Sequence, residues 1–570
     1  MLLTFLVWLL IFLTVFPYGL LALSVAGWLG GRPAGRFHPV FIFISGLALL
    51  TAVSDLVSLF SPLDRSVSIG IMAGAVVLWV AAWTKWKNKR LPARKNLTLV
   101  QWSVALLAVL IFFSVLDLAS RTPSNPDTAI YHAQAIHWIE SYKAVPGLGN
   151  LTTRLAYNSN WFIDNALFGF AWLQPQPFHA LPGLLVILSL FYFLDGTWQL
   201  ASANQTPLAW LKTVLIPVFF LILPSEISSP GTDLPAILLT WLLLSEYLQP
   251  AAASRPDSDS RQLILGLLVF YAVTLKLSVL PLLILPGCTF IYSVCKHNFR
   301  LGAHLLALGA LVLSPWLARN VILSGYLVYP VPWLDFFNFD WKIPNDLASA
   351  EVLSINNWAR HIWIDSSQHN YALPFPEWVP LWFKAETLNR KIMALLAASG
   401  IVATGALLLI KPARLWLLKH GLKEARLVYI TAYCGCFFWF FTAPDFRFGF
   451  SFIIFSILLI FYPLFHFLEY SNSKIKFAIV TVLLACLILN QAWFYSASFH
   501  VKTIGDRLIQ PETYMRAPSS SCQFANFNVW CADLYNQCWY SPFPCVPMAL
   551  PEVEMRGTDF SDGFRSRAKN

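Results

Sequence analysis

The sequence predicts an all-α integral membrane protein with about fourteen transmembrane helices. Hydrophobic residues make up 57% of the 570 residues and charged residues only 12%. About a quarter of the residues of an average soluble domain are charged, so this chain needs lipid as its solvent. Apolar runs close to the ~20 residues that cross a bilayer recur along most of the length. These observations exclude a soluble globular enzyme.

The apolar runs follow one another from the first residues to the end of the membrane region. Their starting points are near Leu2, Val40, Val67, Leu99, Ala180, Leu208, Leu234, Leu263, Val279, Leu301, Ile392, Leu427, Phe450 and Phe477. The first run lacks a basic region and a small-residue cleavage site, which favours a retained span over a signal peptide. Residues 263–295 form either one long helix or two short ones, because Lys276 interrupts the run.

The net charge of +10 is distributed in a way that orients the chain. Basic residues fall in short connections between spans, and such connections face the cytoplasm. They are Arg32 and Arg36, the stretches 85–95, 296–300 and 411–426, and Lys474 with Lys476. This orientation is consistent with two helices in 263–295 and puts both termini and the long loops 118–179 and 320–390 outside. Because topology explains the basic residues, nucleic acid is excluded as a partner.

We divide the chain into a membrane domain, 1–496, and an extracytoplasmic tail, 497–570, that is rich in aromatic residues, prolines and cysteines. Four cysteines lie close together in the tail, which predicts two disulfides in an oxidising compartment with three pairings open. Zinc binding is the alternative, but these four include no CxxC pair. The four are Cys522, Cys531, Cys538 and Cys545. The other five, predicted to be free thiols in spans, are Cys288, Cys295, Cys434, Cys436 and Cys486.

Polar residues are densest in the first long loop. Asp127 follows Pro126 where a helix can start, so its carboxylate is a candidate N-cap. The sequence from Thr128 predicts an amphipathic helix on the membrane surface. Asp127, Tyr131 and His132 fall within about one turn, a set that suits proton removal from a hydroxyl or cation binding. The alternative is a helix cap beside a surface histidine.

Other polar residues lie at connections on the same predicted side. Ionisable groups at that depth are costly unless they are used or paired. Asp445 and Arg447 fit a local ion pair as the alternative to a functional role. Together these residues predict an outward-facing polar cavity. The remaining candidates are Lys143, Arg154, Asn158, Trp161, Glu226, Asp233, Arg319 and Tyr329.

Three strings resemble bacterial GT-C glycosyltransferases. They are the acidic residue before an amphipathic helix in 127–132, the span end 315–320, and 324–330 after it. The strings 131–161 and 442–449 resemble more closely a bacterial family of multispanning proteins that is grouped with those enzymes. In GT-C enzymes the acidic loop commonly follows the first span, whereas several spans precede it here.

The resemblance implies transfer of a sugar from a polyprenyl-phosphate donor to an envelope glycan, lipid or protein, at the outer face of the bacterial cytoplasmic membrane. It implies Asp127 as base or acceptor organiser, with cationic side chains on the lipid phosphate. Those cations are Lys143, Arg154, Arg319 and Arg447. Tyr131, His132 and Trp161 would line the sugar site, and Asn158, Asp233, Tyr329 and Asp445 complete the candidate substrate-binding residues.

Three alternatives stay open at this point. Arginines at the outer face suit a polysaccharide polymerase or ligase that takes a lipid-diphosphate oligosaccharide equally well. A lipid-sugar flippase or other transporter would place ionisable groups within spans, and Asp55 and Lys276 are the chief examples. Asp127 with Asp233 or Glu226 would hold Mg²⁺ or Mn²⁺ if the loops bring them together.

Overall fold

The computed structural model describes residues 1–86, 97–174, 176–202, 206–249, 259–361, 373–417, 423–469, 473–498, 505, 507–547 and 552–567. Nineteen α-helices lie in these ranges. The first ten are α1 (Leu2–Leu29), α2 (Pro39–Ser58), α3 (Arg65–Trp86), α4 (Leu99–Ala119), α5 (Ala133–Ser141), α6 (Asn160–Phe168), α7 (Leu181–Ala201), α8 (Pro207–Ile222), α9 (Asp233–Tyr247) and α10 (Asp259–Leu275). The others are α11 (Ile284–Cys295), α12 (Phe299–Ser324), α13 (Asn345–Ala359), α14 (Phe375–Ala385), α15 (Leu388–Leu409), α16 (Lys411–Leu417), α17 (Lys423–Thr442), α18 (Phe446–Glu469) and α19 (Ser473–Ser498).

Ten helices in the described part of the chain are long and apolar enough to cross a membrane. They are Leu2–Leu29, Pro39–Ser58, Arg65–Trp83, Leu99–Ala119, Leu181–Ala201, Leu277–Cys295, Phe299–Ser324, Leu388–Leu409, Ala425–Thr442 and Phe446–His466. The other four predicted runs coincide with α8, α9, α10 and α19, whose apolar stretches are shorter. A mostly helical, multi-pass membrane protein is therefore confirmed, and the described residues contain ten helices that could span a membrane by length and composition.

The centre and the rim of the bundle differ in burial. In α9 every residue from Asp233 to Glu246 is buried, because the helix is surrounded by others. In contrast, α3 and α15 expose most of their apolar side chains. Lipid tails are as apolar as these side chains, so such helices suit the lipid-facing rim.

The chain breaks at Lys276. Helix α10 ends at Leu275, Lys276 is extended, and a 3-10 helix, Leu277–Leu283, leads into α11. Residues 263–295 therefore form two segments, as the charge pattern favours. Lys276 therefore lies between the two helical segments, and its ammonium donates to Asp233 at the start of α9.

Both long loops and the tail lie at one end of the bundle, which we call the loop face. Gly147 of the first loop donates its N–H to the carbonyl of Ile322, at the end of α12, with 2.8 Å between nitrogen and oxygen. Phe564 of the tail donates to the carbonyl of Pro146 at 2.9 Å. Polar residues from distant parts of the sequence are thereby collected on one surface.

The tail contains two small sheets. Strands β1 (Ser519–Gln523) and β2 (Asn528–Ala532) pair antiparallel, and β3 (Cys545–Val546) pairs parallel with β2. Strands β4 (Val553–Met555) and β5 (Phe564–Ser566) form the second sheet. The two predicted disulfides are confirmed as Cys522–Cys531 and Cys538–Cys545. The five cysteines of the membrane region are free.

The tail docks on α5 through one glutamine. The Gln134 amide donates to the carbonyls of Trp539, Tyr540 and Pro542 at 2.9, 3.2 and 3.0 Å, and accepts from the Cys545 N–H at 3.0 Å. These bonds hold residues 538–545, which are closed by the second disulfide, against the first loop.

Candidate functional site

The first loop positions Asp127 differently from the predicted N-cap. Helical backbone begins at Pro126, and the Asn125 side chain accepts the Asp127 N–H at 2.8 Å. Asp127 makes no capping hydrogen bond. The cap prediction is wrong by two residues, because Asn125 followed by Pro126 has the preferred residue types for N-cap and first helical position. The Asp127 carboxylate is consequently available for other contacts.

A π-helical turn, Thr128–His132, follows and runs into α5. Such wide turns are rare and are frequently found at functional sites. Thr128 Oγ1 lies 3.2 Å from His132 Nδ1, and the His132 ring packs on Tyr131. Burial lowers the pKa of His132 to about 4, against the opposing charges of Asp127 and Asp233. His132 is therefore neutral at neutral pH.

Asp127 belongs to a network of charged side chains. Arg447 Nη1 lies 2.8 Å from Asp127 Oδ2, and Arg447 Nε lies 3.4 Å from Asp233 Oδ2. The Lys276 ammonium donates to Asp233 Oδ1. Arg154 Nη1 lies 3.8 Å from Asp127 Oδ1. We call Asp127, Arg154, Asp233, Lys276 and Arg447 the loop-face cluster.

Local structure explains why these groups converge. Asp233 opens α9, where a carboxylate is stabilised by the helix dipole. Arg447 lies in the first turn of α18, and its backbone N–H donates to Asp445 Oδ1 at 2.7 Å. The Asp445 carboxylate thus holds the start of α18, while the Arg447 guanidinium reaches across to Asp127 and Asp233. The alternative of a local pair between the two side chains gives way to this longer-range contact.

The acidic groups of the site differ in pKa. Burial opposes ionisation of Asp127, but positive charge outweighs burial and holds its pKa below the usual range: that of His132, which is protonated only at low pH, and those of Arg447 and Arg154. Burial and the charge of Asp233 raise the pKa of Glu226, despite a 2.7 Å hydrogen bond from Asn125. The site therefore keeps Asp127 anionic at neutral pH.

Solvent reaches this network. The side-chain exposure is 22% for Asp127, 27% for Arg447 and 40% for Arg154. Lys276 is 19% exposed, and its ammonium lies 4.4 Å from the centre of the Phe448 ring. The charges are thus partly dehydrated yet open to a ligand.

Tyrosine rings extend from the cluster along the loop face. Tyr131 packs on Tyr157 with 5.6 Å between ring centres, and Tyr157 packs on Tyr329 at 5.9 Å. The Tyr157 hydroxyl donates to Glu351 of the second loop. Tyr329 is therefore linked to the cluster through ring contacts.

Four predicted substrate-binding residues have other environments. Arg319 is buried and donates to the Ser58 hydroxyl at 2.7 Å, between α12 and α2. Asn158 donates to the carbonyl of Trp316 at 2.9 Å and accepts from the Trp316 indole at 2.8 Å. Trp161 is buried in the apolar core, and Lys143 is exposed after α5.

The structure therefore brings together seven of the predicted site residues and separates four. The seven are Asp127, Tyr131, His132, Arg154, Asp233, Asp445 and Arg447. Lys276 joins them, although it was predicted only to interrupt a span and to be an ionisable group within one, and not to belong to this site. Its signal was a single cation inside a long apolar run, which is too costly there to lack a partner.

The residues of the cluster do not fit a divalent metal. Asp127 and Asp233 flank the Arg447 guanidinium, so a cationic side chain occupies the position between the two carboxylates. Among the described residues no three His, Cys, Asp or Glu side chains are grouped to hold a metal ion. The predicted use of Asp127 with Asp233 as Mg²⁺ or Mn²⁺ ligands finds no support in this arrangement.

Comparison with known proteins gives one match. A family model described as a domain of unknown function, DUF8201, matches residues 1–454. No curated protein and no solved structure matches the chain. The matched region contains the whole loop-face cluster, whereas the disulfide-bonded tail follows it. Because the match covers well over half of the chain, the protein belongs to the DUF8201 family.

Proposed function

We propose that the protein is a membrane glycosyltransferase of the GT-C type, which moves a sugar from a polyprenyl-phosphate donor to an envelope glycan, lipid or protein. The observation that carries this proposal is the position of Asp127. Its carboxylate lies at the loop face between the guanidinium groups of Arg447 and Arg154, with water access. A base and two phosphate-binding groups are thereby within contact distance of one another.

The proposed location is the bacterial cytoplasmic membrane, with the loop face outside. The basic connections between spans support this orientation. The disulfides Cys522–Cys531 and Cys538–Cys545 support it independently, since such bonds persist in oxidising compartments.

In the proposed reaction the cations hold the phosphate of the donor. Arg154, Lys276 and Arg447 carry three positive charges, of which the carboxylates of Asp127 and Asp233 neutralise two. Planar guanidinium groups match phosphate oxygens in pairs. As the bond between the sugar and the phosphate breaks, charge grows on the leaving phosphate, and fixed cations stabilise it.

Asp127 accepts the proton of the acceptor hydroxyl as the new glycosidic bond forms. In the empty site Arg447 keeps the pKa of Asp127 low, which makes it a weak base. When the donor phosphate takes over Arg447, the carboxylate loses its partner and its pKa rises. Asp127 would therefore become a stronger base only after the donor has bound.

The test is a transfer assay with purified protein in lipid nanodiscs, a labelled polyprenyl-phosphate sugar and an envelope fraction as acceptor. We expect Asp127→Asn to lower transfer by about 10²–10⁴-fold, the usual range for a general base. The matched control is Asp335→Asn, an acid of the second loop whose partner is Lys342 at 2.7 Å. Full activity of Asp127→Asn, with expression unchanged, refutes the assignment.

Two further candidates use different chemistry. Three cations in one cluster also suit the lipid diphosphate of a polymerase or ligase, and mass spectrometry of the consumed donor separates that case. A lipid-sugar flippase is favoured by the buried ionisable groups Asp55, Asp164 and Arg319 inside the bundle. Transport of a fluorescent lipid-linked sugar in proteoliposomes, lost in Asp55→Asn but kept in Asp127→Asn, would support the flippase.

A further inference from the structure

A cleft adjoins the loop-face cluster where the tail meets the first loop. It has a volume of about 260 Å³ and is open to solvent. The first loop contributes Ile130, Thr152, Thr153 and Arg154, and the second loop contributes Leu347. The tail supplies Tyr535, Asn536 and Pro547. Arg154 joins the cleft to the cluster, because its guanidinium also faces Asp127.

We propose that this cleft binds a carbohydrate, namely the glycan acceptor, with Tyr535 as the stacking platform. That the bound carbohydrate is the acceptor rests on the proposed function. The Tyr535 side chain is 84% exposed, an unusual state for an aromatic ring beside a cleft that also presents hydroxyl, amide and guanidinium groups. An apolar ring face and a few convergent polar groups are what a sugar ring with its hydroxyls requires.

The turn that carries Tyr535 is held in a demanding conformation. Tyr535 and Asn536 both have a φ of 56°, in the left-handed region that asparagine tolerates and tyrosine rarely adopts. Residues are kept in such conformations only where the surroundings determine them, and they concentrate at ligand sites. Here a disulfide follows at once, since Cys538 is bonded to Cys545.

Backbone bonds fix this turn relative to Asp127. The N–H groups of Cys538 and Trp539 both donate to the carbonyl of Ala129 at 2.8 Å. Ala129 lies two residues after Asp127 in the π-helical turn. The tail therefore holds the Tyr535 turn against the π-helical turn, and the cleft between them reaches Ile130 and Arg154, the latter a partner of Asp127.

The proposal assigns the tail a role in acceptor choice. The cations that would hold the donor lie on the loops and helices of the membrane region, whereas the platform lies in the tail. Loss of the platform should therefore weaken acceptor binding and leave donor binding intact.

The test is saturation-transfer NMR with the full chain in lipid nanodiscs, with methyl glycosides of glucose, galactose, mannose, N-acetylglucosamine and arabinofuranose as probes. We expect at least one glycoside to receive saturation. Tyr535→Ala should weaken it about tenfold, the size expected when one aromatic anchor is removed. Tyr535→Trp should retain binding, and Thr152→Phe, which fills the cleft, should abolish it.

The matched control is Leu534→Ala, a neighbouring exposed residue that does not line the cleft. Its glycoside binding should equal that of the wild type. Binding of no glycoside, or equal binding by the wild type and Tyr535→Ala, overturns the proposal. Glycoside binding that depends on Tyr535, together with no sugar transfer by the wild type, would instead refute the proposed function and leave the carbohydrate site standing. In a working transfer assay Tyr535→Ala should raise the acceptor KM with kcat nearly unchanged.

Discussion

The protein uses the same residue types in two polar clusters with opposite surroundings. In the loop-face cluster Asp127 and Arg447 are partly exposed and lie at the ends of elements. In the bundle Asp55 and Arg319 are 0% and 4% exposed and lie within helices. Water access therefore separates the two groups. Asp127 and Arg447 form an ion pair that a ligand can reach, whereas Asp55 and Arg319 lie among packed helices, where Arg319 donates to Ser58.

The buried group, which we call the bundle cluster, comprises Thr51, Asp55, Ser58, Asp164, Tyr271 and Arg319. Asp164 accepts from the Thr51 hydroxyl and from the Tyr271 hydroxyl, the latter at 2.6 Å. These residues join α2, α6, α10 and α12. The hydrogen bonds of Asp164 and Arg319 therefore help to specify how these four helices meet.

The largest expected effect is on stability in the bundle cluster. Arg319→Ala removes a buried guanidinium that donates to Ser58 at 2.7 Å and whose positive charge acts on the buried Asp55. Loss of a charge-assisted hydrogen bond and of a long buried side chain together should cost about 3–5 kcal/mol. Arg447→Ala should cost only about 1 kcal/mol or less, because Asp127 and Asp233 keep Arg154 and Lys276 and the site is wetter. The free energy of unfolding in mixed detergent micelles, followed by SDS titration, measures both.

The control for that comparison removes both charges of the bundle cluster. Asp55→Leu combined with Arg319→Met should recover most of the lost stability, since apolar residues of similar volume often replace buried ion pairs without cost. Equal losses for Arg319→Ala and Arg447→Ala would show that the two clusters have the same structural role.

The next effect concerns activity at the loop face. Arg447→Lys keeps the charge, but an ammonium lacks the planar fork that reaches Asp127 and Asp233 together. We expect kcat/KM for transfer to fall about 10²-fold, a loss of ~2.7 kcal/mol of transition-state stabilisation, with stability nearly unchanged. Arg565→Lys, an exposed tail arginine that pairs with Glu554, is the matched control. Wild-type kinetics in Arg447→Lys would mean that charge alone suffices.

The sequence predicts the bundle better than the site, for physical reasons. All fourteen apolar runs coincide with helices, because hydrophobicity and length are local properties. The break at Lys276 was likewise visible, since one cation interrupts an apolar run. The two tail disulfides followed from the compartment and the even number of cysteines, whereas their pairing needed the fold.

The partners of the charges depend on contacts between distant segments. Arg447 and Asp445 are two residues apart, so a local pair was plausible, yet the guanidinium reaches Asp127, which is 320 positions away. Arg319 looked like a phosphate ligand at a span end, but its position in α12 turns it toward Ser58 inside the bundle. Which face of a helix meets which neighbour is set by packing, and packing is not read from one segment.

A smaller effect tests how firmly the tail holds the loop-face cluster in place. Gln134→Leu removes the hydrogen bonds to the carbonyls of Trp539, Tyr540 and Pro542 and to the Cys545 N–H, at a cost of about 1–3 kcal/mol for docking. Hydrogen exchange of residues 538–546 should speed up, while exchange in α9 stays slow.

The matched control for this docking prediction lies inside the tail. The Asn526 side chain donates to Met555 and accepts from its N–H, both at 2.8 Å, away from α5. Asn526→Leu should loosen β4 without changing exchange at 538–546. Unchanged exchange there in Gln134→Leu would show that stacking alone holds the tail.

The smallest effect is a pH dependence of the same docking. The Glu140 carboxyl accepts from the Tyr540 hydroxyl at 2.7 Å, and burial raises its pKa to about 8 although that hydrogen bond opposes the shift. The undocked carboxyl ionises near its ordinary pKa of 4.5, so the docked state binds more protons in between. The contribution of Glu140 to docking is therefore full below pH 4.5 and is lost progressively as pH rises to about 8.

His137, which stacks between Tyr540 and Phe543, acts in the opposite direction. Burial lowers its pKa to about 4, so its effect is confined to pH values below its ordinary 6.5. Between pH 6.5 and 8 Glu140 should act alone, and the open fraction of the 538–546 segment should rise by up to about tenfold per pH unit. Glu140→Gln should abolish that rise. Comparing the variant with the wild type at the same pH removes the intrinsic pH dependence of amide hydrogen exchange, which is the same in both proteins. If both proteins show the same pH dependence of exchange, the 538–546 segment opens without exposing the Glu140 carboxyl to water, and ionisation of Glu140 does not control docking.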